Sequence, residues 1–453
     1  MVVRDERGVP QPTPPPEGLV RAGMRWLFRR ISRIYFRELE VVGEIPTGDV
    51  GARLFAANHF NALVDPILVL TQAPCPISPV AKSTLWKIPA LRWLLDVADA
   101  VPIVRRRDDP DKSAAANDAV FERVASHLRR GGNVLIFPEG TSHNEPKLTT
   151  LRSGAGRMLA RAREEGGLGL TFQAVALEFD ERDVFRSRAL VLFGPARRVT
   201  DAPGDADVAE WITRTIREDL QELLVEGETW EERRRVARVA EILANDARDS
   251  SLERWNALGR KVEEAVATLR SLDAAAVDEV GREVDAYFDV LARAGTTDAL
   301  VARGGQIADR TRLGSAARLT VVLPFALLGA ALYWLPYQIP RLVTRRFADD
   351  PDVSSTYKLG VGLVVFPLWA ALAVTAAWTW LPTLPAAIAT SLIVTCPFAA
   401  LAWLDRWETL AAKSRLLLPT RRRDAWLVSA SERRRALLAR IDELREAAER
   451  GSA

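Results

Sequence analysis

His59 and Asp65 stand six positions apart in the run Asn58-His59-Phe60-Asn61-Ala62-Leu63-Val64-Asp65-Pro66, an imidazole and a carboxylate that together suit a general-base pair. A histidine takes a proton from a hydroxyl near neutral pH, and a carboxylate on its other ring nitrogen fixes the tautomer and stabilises the imidazolium. On one ideal helix six positions turn through about 240°, which would aim the two side chains apart, so they meet only if a turn intervenes. Asn61 is a plausible turn residue. Alone, the motif is commonly accidental.

Three further stretches carry polar chemistry at the ends of apolar runs. Phe137-Pro138-Glu139-Gly140-Thr141-Ser142 places a carboxylate able to hold hydroxyls beside a glycine whose amide can approach a phosphate closely; its bland reading is a Pro-Glu-Gly turn. Val101-Pro102-Ile103-Val104 delivers Arg105, Arg106 and Arg107, and guanidinium forks match phosphate oxygens, although an arginine run at a loop is usually just solvated. Ala174 to Phe179, followed by Ala189 to Phe193, reads as the closing part of a sheet.

These motifs need strands that end beside one another. Short apolar runs at 54–57, 77–81, 101–104, 134–137, 172–177 and 190–193 alternate with helical patterns, which predicts an α/β sheet with crossover helices. One helix is expected over 112–130, with Val120, Val124 and Leu128 on one face and a stop at Gly131-Gly132. Residues 205–316 turn rich in Ala, Glu, Arg and Leu and predict a helical, solvent-facing region.

The 453 residues suffice for two or three domains, and 48% hydrophobic with 27% charged residues is an average that hides an uneven distribution. A net charge of +3 gives no reason to expect nucleic acid. Two cysteines exclude a disulfide framework, and three histidines without paired metal-ligand spacing argue against structural zinc. Residues 1–18 read as a disordered Pro-rich N-terminus, not a secretory signal. Residues 19–38 read as a basic amphipathic helix for a membrane interface, or else a helix simply packed on its own domain, with Val20, Met24, Leu27, Ile31 and Ile34 on its apolar stripe and arginines off it.

Three apolar blocks, 319–337, 359–380 and 384–404, are each about 20 residues and so approach the ~30 Å hydrocarbon thickness. Flanking basic residues make the last two a hairpin with cytoplasmic ends, while Pro324, Gly329 and Pro336 suggest that the first is broken or re-entrant. The membrane region is thus expected over 317–405, and a charged helical tail, for the surface or for self-association, over 406–453.

In order and combination, the His-Asp, Val-Pro-Ile-Val-Arg, Phe-Pro-Glu-Gly-Thr and Ala-Val-Ala-Leu-Glu elements resemble the glycerophospholipid acyltransferase family, over roughly residues 20–200. The runs 41–46, 80–89 and Leu151-Arg152-Ser153-Gly154 add to the likeness. The resemblance implies an acyltransferase domain over 39–204, with His59 as general base oriented by Asp65. It implies that Arg105, Glu139, Gly140, Thr141 and Arg152 bind a glycerol-phosphate acceptor, either glycerol 3-phosphate or its 1-acyl derivative. It implies acyl-coenzyme A or acyl carrier protein as thioester co-substrate, no metal or other cofactor, membrane lipids as partners, and an integral cell-membrane protein whose catalytic domain faces the cytoplasm.

Three positions depart from the family pattern. Five residues rather than four separate His59 from Asp65, a spacing that resembles a subgroup with fungal glycerol-3-phosphate acyltransferases; Ala174 stands where proline is common, and Asp99 where glycine is usual. The irregular spacing keeps open a catalytically inert lipid-binding or scaffolding relative. An acyltransferase or transacylase for another lysolipid, or for an amine-containing lipid, is the other alternative.

Overall fold

The computed structural model describes residues 3–4, 10–11, 17–46, 52–104, 113–204, 206–303, 309–348, 350–414 and 421–451. Two compact units share the chain: residues 1–226 with 350–356, and residues 227–349 with 357–453.

The first unit is an α/β sheet with flanking helices. Its seven strands are β1 (Glu38–Gly43), β2 (Arg53–Ala57), β3 (Ile77–Lys82), β4 (Val101–Ile103), β5 (Asn133–Ile136), β6 (Thr171–Phe179) and β7 (Arg188–Arg198), in the spatial order β1-β7-β6-β2-β5-β3-β4. All neighbours run parallel except β6 and β7. Every residue of β2 and β5 is buried, as continuous apolar runs in a sheet covered on both faces require. β1, on the sheet edge, has no counterpart among the expected strands.

The helices of this unit are α1 (Leu19–Tyr35), α2 (Val64–Gln72), α3 (Pro89–Val97), α4 (Ser113–Arg129), α5 (Gly154–Glu164) and α6 (Val208–Leu223). Parallel strands joined by right-handed crossovers put α2 and α3 on one face and α4 and α5 on the other, because the chain moves outward through the first pair and back through the second. α1 packs on α2, and α6 packs on α5, β6 and β7. Ile212, Ile216 and Leu220 bury the inner stripe of α6, so the solvent-facing helical region expected from 205 begins only after this helix.

Two irregularities have local causes. The register of β6 against β7 shifts between Gln173 and Val175, opposite Gly194 and Pro195, where proline has no amide to give the ladder. Asp99 has φ +54°, the left-handed region that asparagine and aspartate tolerate better than most side chains, which accounts for glycine being usual there. The Asp99 carboxylate accepts a 3.1 Å hydrogen bond from the Ser78 hydroxyl.

The second unit is helical: α7 (Trp230–Asp246), α8 (Leu252–Ala294), α9 (Asp298–Ala302), α10 (Asp309–Phe347), α11 (Pro351–Trp380, whose first residues belong to the other unit), α12 (Thr383–Ser414) and α13 (Arg421–Gly451). α8 is two helices joined at Asp273, whose side chain accepts from the Ala276 amide and caps the second half. Val239, Ile242, Val280, Val284, Tyr287, Leu291 and Val301 form one core with Ala430 and Leu437 of α13. The expected surface tail is therefore built into the helical bundle. Its anchor is Asp298, fully buried, which accepts from Asn245 Nδ2 at 2.9 Å, the Tyr287 hydroxyl at 2.8 Å and Arg434 Nε at 3.0 Å.

Among the described residues, three helical stretches, Arg318–Phe347, Val353–Trp380 and Thr383–Trp407, are long and apolar enough to cross a membrane. Large apolar side chains such as Val321, Leu327, Trp334, Leu368 and Ile388 stay exposed along them, as a lipid-facing surface demands. α10 continues through Pro324, Pro336 and Pro340, so the break expected there does not occur. α10 and α12 pack antiparallel, Tyr333 donating to the Ile393 carbonyl and Trp403 to that of Leu319. Gly329 sits so close to Cys396 that an added Cβ would lie 2.2 Å from its carbonyl oxygen, the small-residue contact typical of membrane helices.

Candidate active site

β2 and β5 are parallel neighbours, so the loops after Ala57 and Ile136 leave the sheet side by side, where ligands bind in open α/β sheets. The first loop carries His59. Asn58, fully buried, extends the sheet with its side chain, donating from Nδ2 to the Leu177 carbonyl at 3.0 Å and accepting from the Leu177 amide at 2.8 Å. That amide bridge fixes where the loop starts.

A turn over 60–63 then reverses the chain, and α2 begins with Asp65 in its first turn. His59 Nδ1 lies 3.0 Å from Asp65 Oδ2, and the Asn61 amide donates to the same oxygen at 2.6 Å. Against a carboxylate, Nδ1 carries the proton, which leaves Nε2 with a lone pair. The turn needed to join residues six apart is present. The His59 ring also stacks on Phe137, centroids 4.0 Å apart.

Asp65 is fully buried, with Oδ1 unpartnered. Burial pushes its carboxyl above the ordinary value, while the His59 ring and the Asn61 amide pull it back. Both polar atoms of the Asn61 side chain are also buried without a partner.

Glu139 sits in the second loop, 4% exposed. Its Oε1 accepts from the His59 amide at 2.8 Å, and its Oε2 accepts from the Thr149 amide at 3.0 Å, the Thr149 hydroxyl at 2.7 Å and the His143 ring. Burial raises its carboxyl, but the His143 and Thr149 donors outweigh that and hold it below the ordinary glutamate range. Gly140 has φ +80°, a conformation that suits glycine, and its amide closes the turn on the Phe137 carbonyl at 3.0 Å. Thr141 and Arg152 are exposed on this turn, Arg152 lying over Gly140. Arg105 lies outside the described residues.

Of the residues expected from the sequence, the structure brings His59, Asp65, Glu139, Gly140, Thr141 and Arg152 to one pair of strand exits. Sequence reasoning missed Asn58, Asn61, His143 and Thr149 as parts of the assembly. Only His143 carried a signal, being one of three histidines in the chain and four residues beyond Glu139.

Residues 24–178 match the family model described as Acyltransferase, so the segment that holds the His59–Asp65 pair is an acyltransferase domain. This segment is similar to acyltransferases of lysophosphatidate and of other lysolipids. The lyso-ornithine lipid O-acyltransferase of Pseudomonas aeruginosa is 32% identical over 155 residues, 34% of this chain and 53% of that protein. The chloroplastic 1-acyl-sn-glycerol-3-phosphate acyltransferase LPAT1 of Arabidopsis thaliana is 25% identical over 136 residues, 30% of this chain and 36% of that protein. The similarity therefore spans about half the length of the first relative and about a third of the second. Among solved structures, the 1-acyl-sn-glycerophosphate acyltransferase of Thermotoga maritima aligns with a TM-score of 0.33 and 15% identity, over 45% of this chain and 80% of that one.

Proposed function

We propose that this protein transfers a fatty acyl group from a thioester, on coenzyme A or acyl carrier protein, to a hydroxyl of glycerol 3-phosphate or 1-acyl-glycerol 3-phosphate, in a membrane and on its cytoplasmic side. The observation that carries this reading is the contact of His59 Nδ1 with Asp65, which frees Nε2 to act as a base. Nε2 takes the hydroxyl proton as the oxygen attacks the thioester carbonyl. The C–S bond then breaks, the ester forms, and the proton on His59 passes to the departing sulfur. No covalent acyl-enzyme is needed.

Asp65 holds the tautomer and offsets the imidazolium charge. Thr141 and Arg152, exposed beside the Gly140 turn, and Arg105, two residues beyond β4 in the sequence, receive the phosphate of the acceptor, guanidinium groups being suited to its oxygens. The five-residue spacing tilts the acceptor toward glycerol 3-phosphate. The similarity to a lyso-ornithine lipid acyltransferase favours a second reading, in which the acceptor hydroxyl belongs to a lysolipid without phosphate.

The test is purified full-length protein in detergent with acyl-coenzyme A or acyl carrier protein, offered glycerol 3-phosphate, its 1-acyl derivative and lyso-ornithine lipid in parallel. His59→Ala loses turnover yet stays folded. A His59→Ala protein as active as the parent would refute the assigned base.

A further inference from the structure

The Glu139 carboxylate has four protein donors: the His59 amide, the Thr149 amide and hydroxyl, and the His143 ring. Each carboxylate oxygen offers roughly two acceptor sites, so the three donors on Oε2 fill it, while Oε1 holds one donor and the side chain as a whole has no exposed surface. The role that resemblance gives Glu139, holding the acceptor, does not fit that burial.

His143 is the member of this set with a defined proton. Its Nδ1 accepts from the Glu145 amide at 3.1 Å, so the ring hydrogen sits on Nε2 and is donated to Glu139 Oε2. This tautomer is the opposite of the one at His59. The backbone of His143 reaches the same place, its amide donating to the His59 carbonyl at 3.2 Å, and its ring meets Phe60 edge-on with centroids 5.5 Å apart. Both His143 and Glu139 are nearly buried, 10% and 0% of their side chains being exposed.

We propose that His143 is a positioning residue for the acyl transfer: its ring orients Glu139 onto the His59 amide while its own amide holds the His59 carbonyl, so the peptide bearing the base is gripped on both sides. The proposal rests on the acyl-transfer reading for its kinetic consequence, though not for its geometry. Misplacing a catalytic group by about 1 Å costs on the order of 100-fold in rate. A base whose backbone is clamped at both polar groups keeps its ring against Asp65 without help from substrate.

Two measurements test this on the full chain in detergent. With 15N-labelled histidine the protein has only three imidazoles to assign. The expected spectrum shows a protonated Nδ1 at His59 and a protonated Nε2 at His143. In His143→Ala the His59 ring signals move; in His143→Gln, which keeps a donor within reach of Glu139, they stay near the parent positions. In the acyl-transfer assay His143→Ala lowers kcat by roughly 10- to 100-fold with acceptor KM within about twofold, and His143→Gln recovers most of the loss.

An Nδ1-protonated His143 in the parent protein, unmoved His59 signals in His143→Ala, or equal defects in the two variants overturn the proposal. If the parent turns over none of the acceptors, the acyl-transfer reading fails, and the ring signals alone decide the clamp. If the parent is active and His143→Ala keeps its kcat, the clamp fails and the reading stands.

Discussion

The residues of the site divide into the proposed base and the groups that hold it, and their electrostatics set opposite stability signs. Asp65 is pushed up by burial, so the folded state favours its protonated form; from the ordinary aspartate range upward, ionisation costs stability as pH rises. Asparagine at 65 keeps an oxygen for His59 Nδ1 and the Asn61 amide without the buried charge. Asp65→Asn is expected to raise the melting temperature at pH 7 while lowering kcat on the order of 10³- to 10⁴-fold, the cost of losing a carboxylate behind a catalytic imidazole. A variant both less stable and still active would contradict that assignment. Glu139 runs the other way. Held below the usual range, it contributes stability above that range and loses it as pH falls through its lowered value. Glu139→Gln should therefore be destabilised at pH 7, with a difference from the parent that shrinks in acid; denaturant midpoints at pH 7 and pH 4 check it. Sequence reasoning reached the base, its carboxylate and the Glu-Gly turn because each stands at the end of an apolar strand. It could not reach Asn58, whose partner lies 119 residues away and depends on strand order, or Thr149, whose contact depends on how the loop after β5 folds back on Glu139.

Among the elements, α1 differs most from its expected use. Arg25 and Arg29 turn inward, Arg29 donating to the Thr71 carbonyl at 2.5 Å and both reaching the Ala73 carbonyl, where α2 ends and guanidinium groups meet its exposed carbonyls and negative dipole end. The side left to solvent carries Leu19, 91% exposed, Val20, Trp26 and Leu27, with Arg30 and Arg33. Helical periodicity identified an amphipathic helix but could not say which stripe faces the domain, because arginines serve a carbonyl cluster as well as a head group. Arg29→Met should lower stability by about 1–3 kcal/mol, from lost charge-assisted hydrogen bonds, measured as a shift in urea midpoint. At the end of α3, Asp99→Gly should be nearly neutral, whereas Asp99→Val, β-branched at positive φ, should cost about 1–2 kcal/mol. The strands were legible because a covered parallel sheet needs unbroken apolar runs; β1, half-exposed at the edge, lacks such a run.

For the molecule as a whole, the helical bundle rests on a buried charge. Asp298 is fully enclosed and Arg434 reaches it from α13, also bonding Asp246 at 2.9 Å and the Ile242 carbonyl at 2.9 Å. Removing one partner of such a pair strands the other, so Arg434→Ala should cost about 3–5 kcal/mol, visible as early protease cleavage within 230–302. The bundle was not legible from composition. Its helices read as charged and solvated one by one, and their shared core exists only once α13 is placed against α7, α8 and α9, more than 100 residues earlier.

That core has an arithmetical consequence for the apolar helices between its two halves. Residues 239–301 and 430–437 pack together, so the polypeptide departs from and comes back to one compartment, and must traverse the bilayer an even number of times. Among the described residues three helices of sufficient length lie between, hence at most two of them go through. Single cysteines at positions 250 and 440, in a background without Cys75 and Cys396, should react with an impermeant maleimide from the same side of sealed vesicles; labelling from opposite sides would make the count odd.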